Sequence, residues 1–175
     1  TQWFNNYPLG WAMAGNTPCK FYKQNTHGGG VRDPLVMHWP AGFDPSEAGT
    51  LRHQFHHVSD LSPTMLEVLG VGLPKTMNGV DQMPLHGTPM TYTFASASAP
   101  TKKKVQHFEM LGHRGIVADG WKAVTLHLPR TTMDQDVWEL YDLNNDFSET
   151  NDLAAAHPDK LRELEALWWE EAAKY

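Results

Sequence analysis

Short runs rich in β-branched and aromatic residues, closed by one long amphipathic run, restrict what residues 105–175 can fold into. The runs cover 105–111, 115–117, 121–128 and 137–143, with Asp119-Gly120 suited to a tight hairpin and Asn144-Asn145-Asp146 to a turn. From His157-Pro158 almost to Tyr175, Leu161, Leu164, Leu167, Trp168 and Ala172 recur at helical spacing. A helix with one apolar stripe needs a cover, and the nearest is the antiparallel sheet that precedes it. Residues 102–175 are therefore expected to form an α+β unit of antiparallel strands with one packed helix.

The first half carries different signals. Residues 1–19 mix Trp3, Phe4, Tyr7 and Trp11 with Asn, Pro and Gly without periodicity, so an irregular loop is expected, its rings covering a core or forming a substrate-facing rim. The run 34–40, Pro-Leu-Val-Met-His-Trp-Pro, has the length and composition of a strand buried on both faces. His53, His56 and His57 resemble a metal cluster, but no carboxylate lies within the run 51–57 and no metal site is expected there. Ser62 as N-cap, Pro63 at the first helical position, Leu61 stapling onto Leu66, and Gly70 as the stop predict a helix whose Met65, Leu66, Val68 and Leu69 cover a sheet. Residues 73–101 read as a connector, and Lys102-Lys103-Lys104 as a solvated loop, which places a boundary between residues 101 and 102.

Charge and composition narrow the function. A formal charge of −6 opposes a nucleic-acid or anionic-membrane partner, and no apolar run is long enough to cross a bilayer as a helix. Cys19 is the only cysteine, so no disulfide can form within the chain. The chain opens in mid-pattern at Thr1-Gln2-Trp3-Phe4, and further sequence upstream is expected. Neither a Gly-x-Ser-x-Gly elbow nor a phosphate-binding Walker loop is present. What remains is cationic. Lys23 precedes Gly28-Gly29-Gly30, whose missing side chains permit close backbone approach, so Lys23 is placed either to meet a sulfate or phosphate group or to be an ordinary surface lysine. Arg32 is expected to pair with a carboxylate or carbonyl, and Asp33 to sit in a turn.

Tyr22-Lys23-Gln24-Asn25-Thr26-His27-Gly28-Gly29-Gly30-Val31-Arg32-Asp33-Pro34 resembles the second signature region of the sulfatases, in which a Lys precedes a Thr-x-Glu-Gly-Gly-x-Arg-x-Pro block. Asp60-Leu61-Ser62-Pro63-Thr64 is similar to the family's Asp-x-x-Pro-Thr helix start. Gly112-His113-Arg114-Gly115-Ile116, Gly120-Trp121-Lys122, Trp138-Glu139-Leu140-Tyr141-Asp142-Leu143 and Ser148-Glu149-Thr150-Asn151-Asp152-Leu153-Ala154 follow in the order of the C-terminal subdomain of bacterial arylsulfatases. The resemblance implies an α/β fold: the end of an alkaline-phosphatase-like α/β domain over residues 1–101, then a small α+β C-terminal subdomain with a four-stranded antiparallel sheet and one helix. It implies sulfate-ester hydrolysis by a formylglycine nucleophile with a calcium ion, and makes Lys23 the catalytic, sulfate-contacting lysine, with His27 as a second substrate contact.

Two departures limit the carry-over. Gly28 stands where relatives have Glu. Cys19 is followed by Lys20-Phe21-Tyr22-Lys23 and does not open the family's Cys-x-Pro-x-Arg nucleophile motif, so the nucleophile and the calcium ligands are expected outside this chain. The chain is thus expected to be the C-terminal portion of a sulfatase, inactive without the N-terminal part of the same enzyme. A phosphodiesterase or phosphonate hydrolase of the same superfamily, and a non-catalytic binding module, are the competing readings.

Overall fold

The computed structural model describes residues 6–174, so Trp3, Phe4 and Tyr175 lie outside the described residues. By packing, the chain divides into one unit built from residues 1–34 and 105–175 and another built from residues 35–104. The elements in chain order are α1 (Leu9–Gly15), α2 (Gly28–Val31), α3 (Leu61–Leu69), β1 (Thr76–Met77), β2 (Val80–Asp81), β3 (Val105–Met110), β4 (His113–Ala118), β5 (Trp121–Thr125), β6 (Trp138–Asp142) and α4 (Pro158–Ala172).

The first unit is organised around a four-stranded antiparallel meander in the order β3-β4-β5-β6. Asp119 and Gly120 both take positive φ, at 48° and 83°, the backbone of a type I′ hairpin whose twist matches the flanking strands. A second such turn, at Leu111 (φ 56°) and Gly112 (φ 87°), lets β4 begin at His113 rather than Gly115. Strand alternation then sorts the side chains. Ile116, Ala123 and Leu140 lie in register across β4, β5 and β6 and pack with Leu164 and Trp168 of α4. The indole N–H of Trp168 donates to the Phe108 carbonyl at 3.1 Å, tying the helix to β3. The expected α+β arrangement of sheet and packed helix is present.

Val117, Lys122, Val124 and Tyr141 occupy the opposite face and are equally buried. Their cover is the N-terminal segment around residues 16–30. Gly115 lets this segment approach, since a Cβ there would stand 3.2 Å from that of Thr26, whose hydroxyl donates to the Arg114 carbonyl at 3.0 Å. Two-sided cover explains why β4 and β5 are buried almost throughout. The irregular loop expected over residues 1–19 is corrected at residues 9–15, which form α1.

In the unit of residues 35–104, α3 starts at Leu61 with Asp60 as its N-cap, two residues before the expected start at Pro63, and Gly70 closes it at φ 64°. The Asp60 carboxylate accepts from the backbone N–H of His57 and of Thr88, both at 2.8 Å, from Lys103 Nζ at 2.9 Å and from His56 Nδ1 at 3.1 Å. Burial alone would raise its pKa, but these hydrogen bonds outweigh it and hold the carboxyl well below the usual range. Lys103, expected in a solvated loop, is buried against Asp60. The helix face expected to cover a sheet leaves Met65 and Leu69 exposed. The expected buried strand at 34–40 is also corrected. Residues 35–39 form no strand and Val36 is 90% exposed, because among the described residues no strand pairs with this run and its backbone has no ladder to join.

Candidate functional site

Lys23 is the second residue of a tight turn closed by the Asn25 N–H to the Tyr22 carbonyl at 3.1 Å and by Asn25 Nδ2 to the same carbonyl at 3.0 Å. Gln24 follows it at φ 79°, the left-handed region that the third residue of a type II turn takes. The glycines brace this turn by proximity. None of the three has positive φ. A Cβ on Gly30 would stand 1.9 Å from the Asn25 carbonyl oxygen, and one on Gly29 2.2 Å from that of Phe21. The N–H of Gly29 donates to the Lys20 carbonyl at 2.7 Å, and Asn16 Nδ2 bridges the carbonyls of Phe21 and Gly29 at 3.0 and 2.9 Å. The backbone around Lys23 is thus held on both sides, while the Lys23 side chain is exposed and pairs with no carboxylate among the described residues.

His27 sits differently. It is fully buried, edge-on to Phe21 at a centroid distance of 4.7 Å, and its Nε2 meets Glu139 Oε1 at 3.2 Å. Lys23 and His27 therefore share a loop but not a surface. Arg32, expected to pair with a carboxylate or carbonyl, instead lies over the Phe147 ring at 5.1 Å. At Gly28 a carboxylate does stand nearby, supplied by Glu149. Its Oε2 accepts the Gly28 N–H at 2.9 Å, its Oε1 accepts Lys122 Nζ at 2.6 Å, and Oε1 lies 3.4 Å from where a Cβ at 28 would be. Burial pulls the pKa of Lys122 down, and the Glu149 charge opposes that shift.

A second polar cluster lies under the Lys23 loop. Lys20 Nζ reaches Glu139 Oε2 at 3.2 Å and the Tyr141 hydroxyl at 2.7 Å, and that hydroxyl in turn donates to Glu139 Oε2. Burial would raise the pKa of Glu139, but hydrogen bonds from His27, Tyr141 and Lys20 lower it to about 2. The Tyr141 phenol is pushed far above its ordinary value, by burial first, then by its hydrogen bond to Glu139 and the Glu139 charge. Sequence reasoning missed Lys20, Lys122, Glu139, Tyr141 and Glu149 as members of this site. The available signal was alternation: Lys122 precedes Ala123, and Glu139 and Tyr141 flank Leu140, which reads as the solvent face of a half-covered strand.

Among the described residues no group of three or more His, Cys, Asp or Glu side chains is placed to hold a metal ion. Cys19 packs beside Gly28, its Cβ 3.4 Å from where a Cβ on that glycine would stand. These described residues do not fit a calcium site or a formylglycine nucleophile.

Residues 19–171 match the family model described as N-sulphoglucosamine sulphohydrolase, C-terminal. An uncharacterized sulfatase of Schizosaccharomyces pombe is 32% identical over 161 residues, covering 90% of this chain and 28% of that protein. Human arylsulfatase A is 31% identical over 170 residues, covering 83% of this chain and 31% of the relative. A solved structure from work on glycosaminoglycan metabolism by Bacteroides thetaiotaomicron shares the fold, with a TM-score of 0.63 over 87% of this chain and 31% of that one at 22% identity. The chain thus spans roughly a third or less of the length of these proteins. Together with the braced Lys23 turn on a two-faced antiparallel sheet, the match over residues 19–171 makes this chain a member of the sulfatase family, corresponding to its C-terminal region.

Proposed function

We propose that the whole protein hydrolyses a sulfate ester of the aryl-sulfate type, and that this region supplies Lys23 as the cation meeting the sulfuryl oxygens. The observation that carries the reading is an exposed ammonium on a turn whose backbone is held on both sides. A lysine is a compact point charge, and a charge aimed beforehand at oxygens that gain negative charge in the transition state lowers the barrier without reorganising. His27, buried on Glu139, serves this reading as part of the loop's foundation rather than as a surface contact to the substrate. The likeness to arylsulfatase A supports the aryl-sulfate class.

On this reading the nucleophile and the calcium ligands come from residues outside this chain, and the remainder of the sulfatase polypeptide is its partner. The charge of −6 over these 175 residues argues against a nucleic-acid or anionic-membrane partner for this region. Purified whole protein should release sulfate from 4-nitrophenyl sulfate, whereas the 175-residue chain alone should release none. Turnover by the isolated chain would contradict the division of labour, and an inert whole protein would contradict the sulfatase reading.

A further inference from the structure

We infer that Glu139 is a positioning residue for Lys23, an inference that rests on the role proposed above for that lysine. One carboxylate holds three donors. Oε1 takes the ring N–H of His27 at 3.2 Å, and Oε2 takes Lys20 Nζ at 3.2 Å together with the Tyr141 hydroxyl. Lys20 and His27 are the two ends of the segment whose middle is the Tyr22 to Asn25 turn carrying Lys23. A single side chain therefore pins both ends of the loop.

Glu139 is itself well fixed. It lies in β6, paired in register with Val124 of β5, whose side chain is fully buried. Tyr141, two residues on and also fully buried, adds a hydroxyl between Lys20 and Glu139. His27 has no other polar hold through its ring, since its Nδ1 is buried without a hydrogen-bond partner. Replacing the Glu139 carboxylate by an amide leaves one acceptor oxygen for two donors, so either the His27 imidazole or the Lys20 ammonium loses its tie to β6, and the turn between them loses part of its lower support. The glycine contacts still brace it from the other side. The effect expected is displacement of the Lys23 ammonium rather than collapse of the fold. Misplacing a catalytic group by about 1 Å costs on the order of 100-fold, and Glu139→Gln keeps one carbonyl acceptor, so a loss of about 10-fold is expected.

A mutant cycle in the whole sulfatase tests this, reading kcat/KM for 4-nitrophenyl sulfate at a temperature where circular dichroism shows every variant folded. Glu139→Gln should lose about 10-fold, and Lys23→Ala combined with Glu139→Gln should be no slower than Lys23→Ala alone, because no lysine remains to be positioned. Losses that multiply in the double variant would overturn the inference while leaving the role of Lys23 intact. A Lys23→Ala enzyme with the parent's kcat/KM would overturn the role of Lys23 and this inference with it. If Glu139→Gln does not fold, Lys20→Met takes its place in the same cycle, since Lys20 is partly exposed and forms one of the two ties.

Discussion

Gly29 and Gly30 have nothing where a Cβ would be because carbonyl oxygens are already there, 2.2 and 1.9 Å from those points. Gly28 is different, with its nearest neighbours at 3.4 Å, an ordinary contact distance. Gly30 and Gly28 should therefore respond differently to the same methyl group. Gly30→Ala must push the backbone of Asn25 aside and is expected to cost about 1–3 kcal/mol, lowering Tm by roughly 5 °C or more. Gly28→Ala should leave Tm within about 2 °C of the parent, since a small helical residue suits that site and the Gly28 N–H keeps its bond to Glu149. Equal losses at the two positions, measured by thermal denaturation, would show that the glycines are needed for something other than close approach.

At the scale of elements, β6 carries a charge into a covered sheet face and makes stability depend on acid. Glu139 has a pKa of about 2 in the folded protein against an ordinary 4.5, so its contribution is fully present above pH 4.5 and is lost as pH falls towards 2. The groups facing it are Lys20, His27 and Tyr141, and the raised phenol pKa keeps Tyr141 protonated throughout this range. By linkage, up to about 2 kcal/mol of stability should disappear between pH 7 and pH 3 in the parent and be missing from that acid limb in Glu139→Gln. Urea titrations of both proteins at the two pH values check this, and parallel acid limbs would exclude Glu139 as a source.

The same elements show what could be read beforehand. The hairpin at Asp119-Gly120 and the Leu164 and Trp168 stripe of α4 were legible because local turn chemistry and helical spacing specify them directly. The second cover of the sheet was not, because Lys122 and Glu139 alternate with apolar neighbours as exposed residues do, and their burial depends on residues about a hundred positions away in the chain. Lys23 was legible as a candidate, but the reason its turn is rigid was only half legible. The glycines pointed to close approach without saying that the carbonyls of Phe21 and Asn25 were what they approach. In α3, Ser62 and Pro63 looked like the start because Asp60 spends its carboxylate on His56, His57, Thr88 and Lys103 instead of capping the first turn by side chain.

At the scale of the whole molecule, apolar burial is uneven. Residues Ile116, Ala118, Ala123, Leu140, Leu164 and Trp168 form a core in the unit that carries Lys23. Within residues 35–104, Met90 is the one buried large apolar side chain among the described residues, and Val36, Leu51, Val58 and Met83 are all exposed. The strand-like run 35–39 shows the limit of a pattern read without its neighbours: composition suits it to burial on both faces, and a ladder is what it lacks. The unit containing the four-stranded sheet has its own core and fixes the Lys23 turn through its own contacts, among them Asn16 to Gly29, Lys20 to Glu139 and Gly28 to Glu149.

We propose that this turn presents a cation to the sulfuryl group, and the most direct test is kcat/KM for 4-nitrophenyl sulfate in the whole sulfatase with Lys23 intact and with Lys23→Ala. Loss of one such electrostatic contact predicts a fall of roughly 100- to 1,000-fold with the thermal transition unchanged, since the Lys23 side chain is exposed. An unchanged kcat/KM would contradict the claim and make Lys23 an ordinary surface lysine.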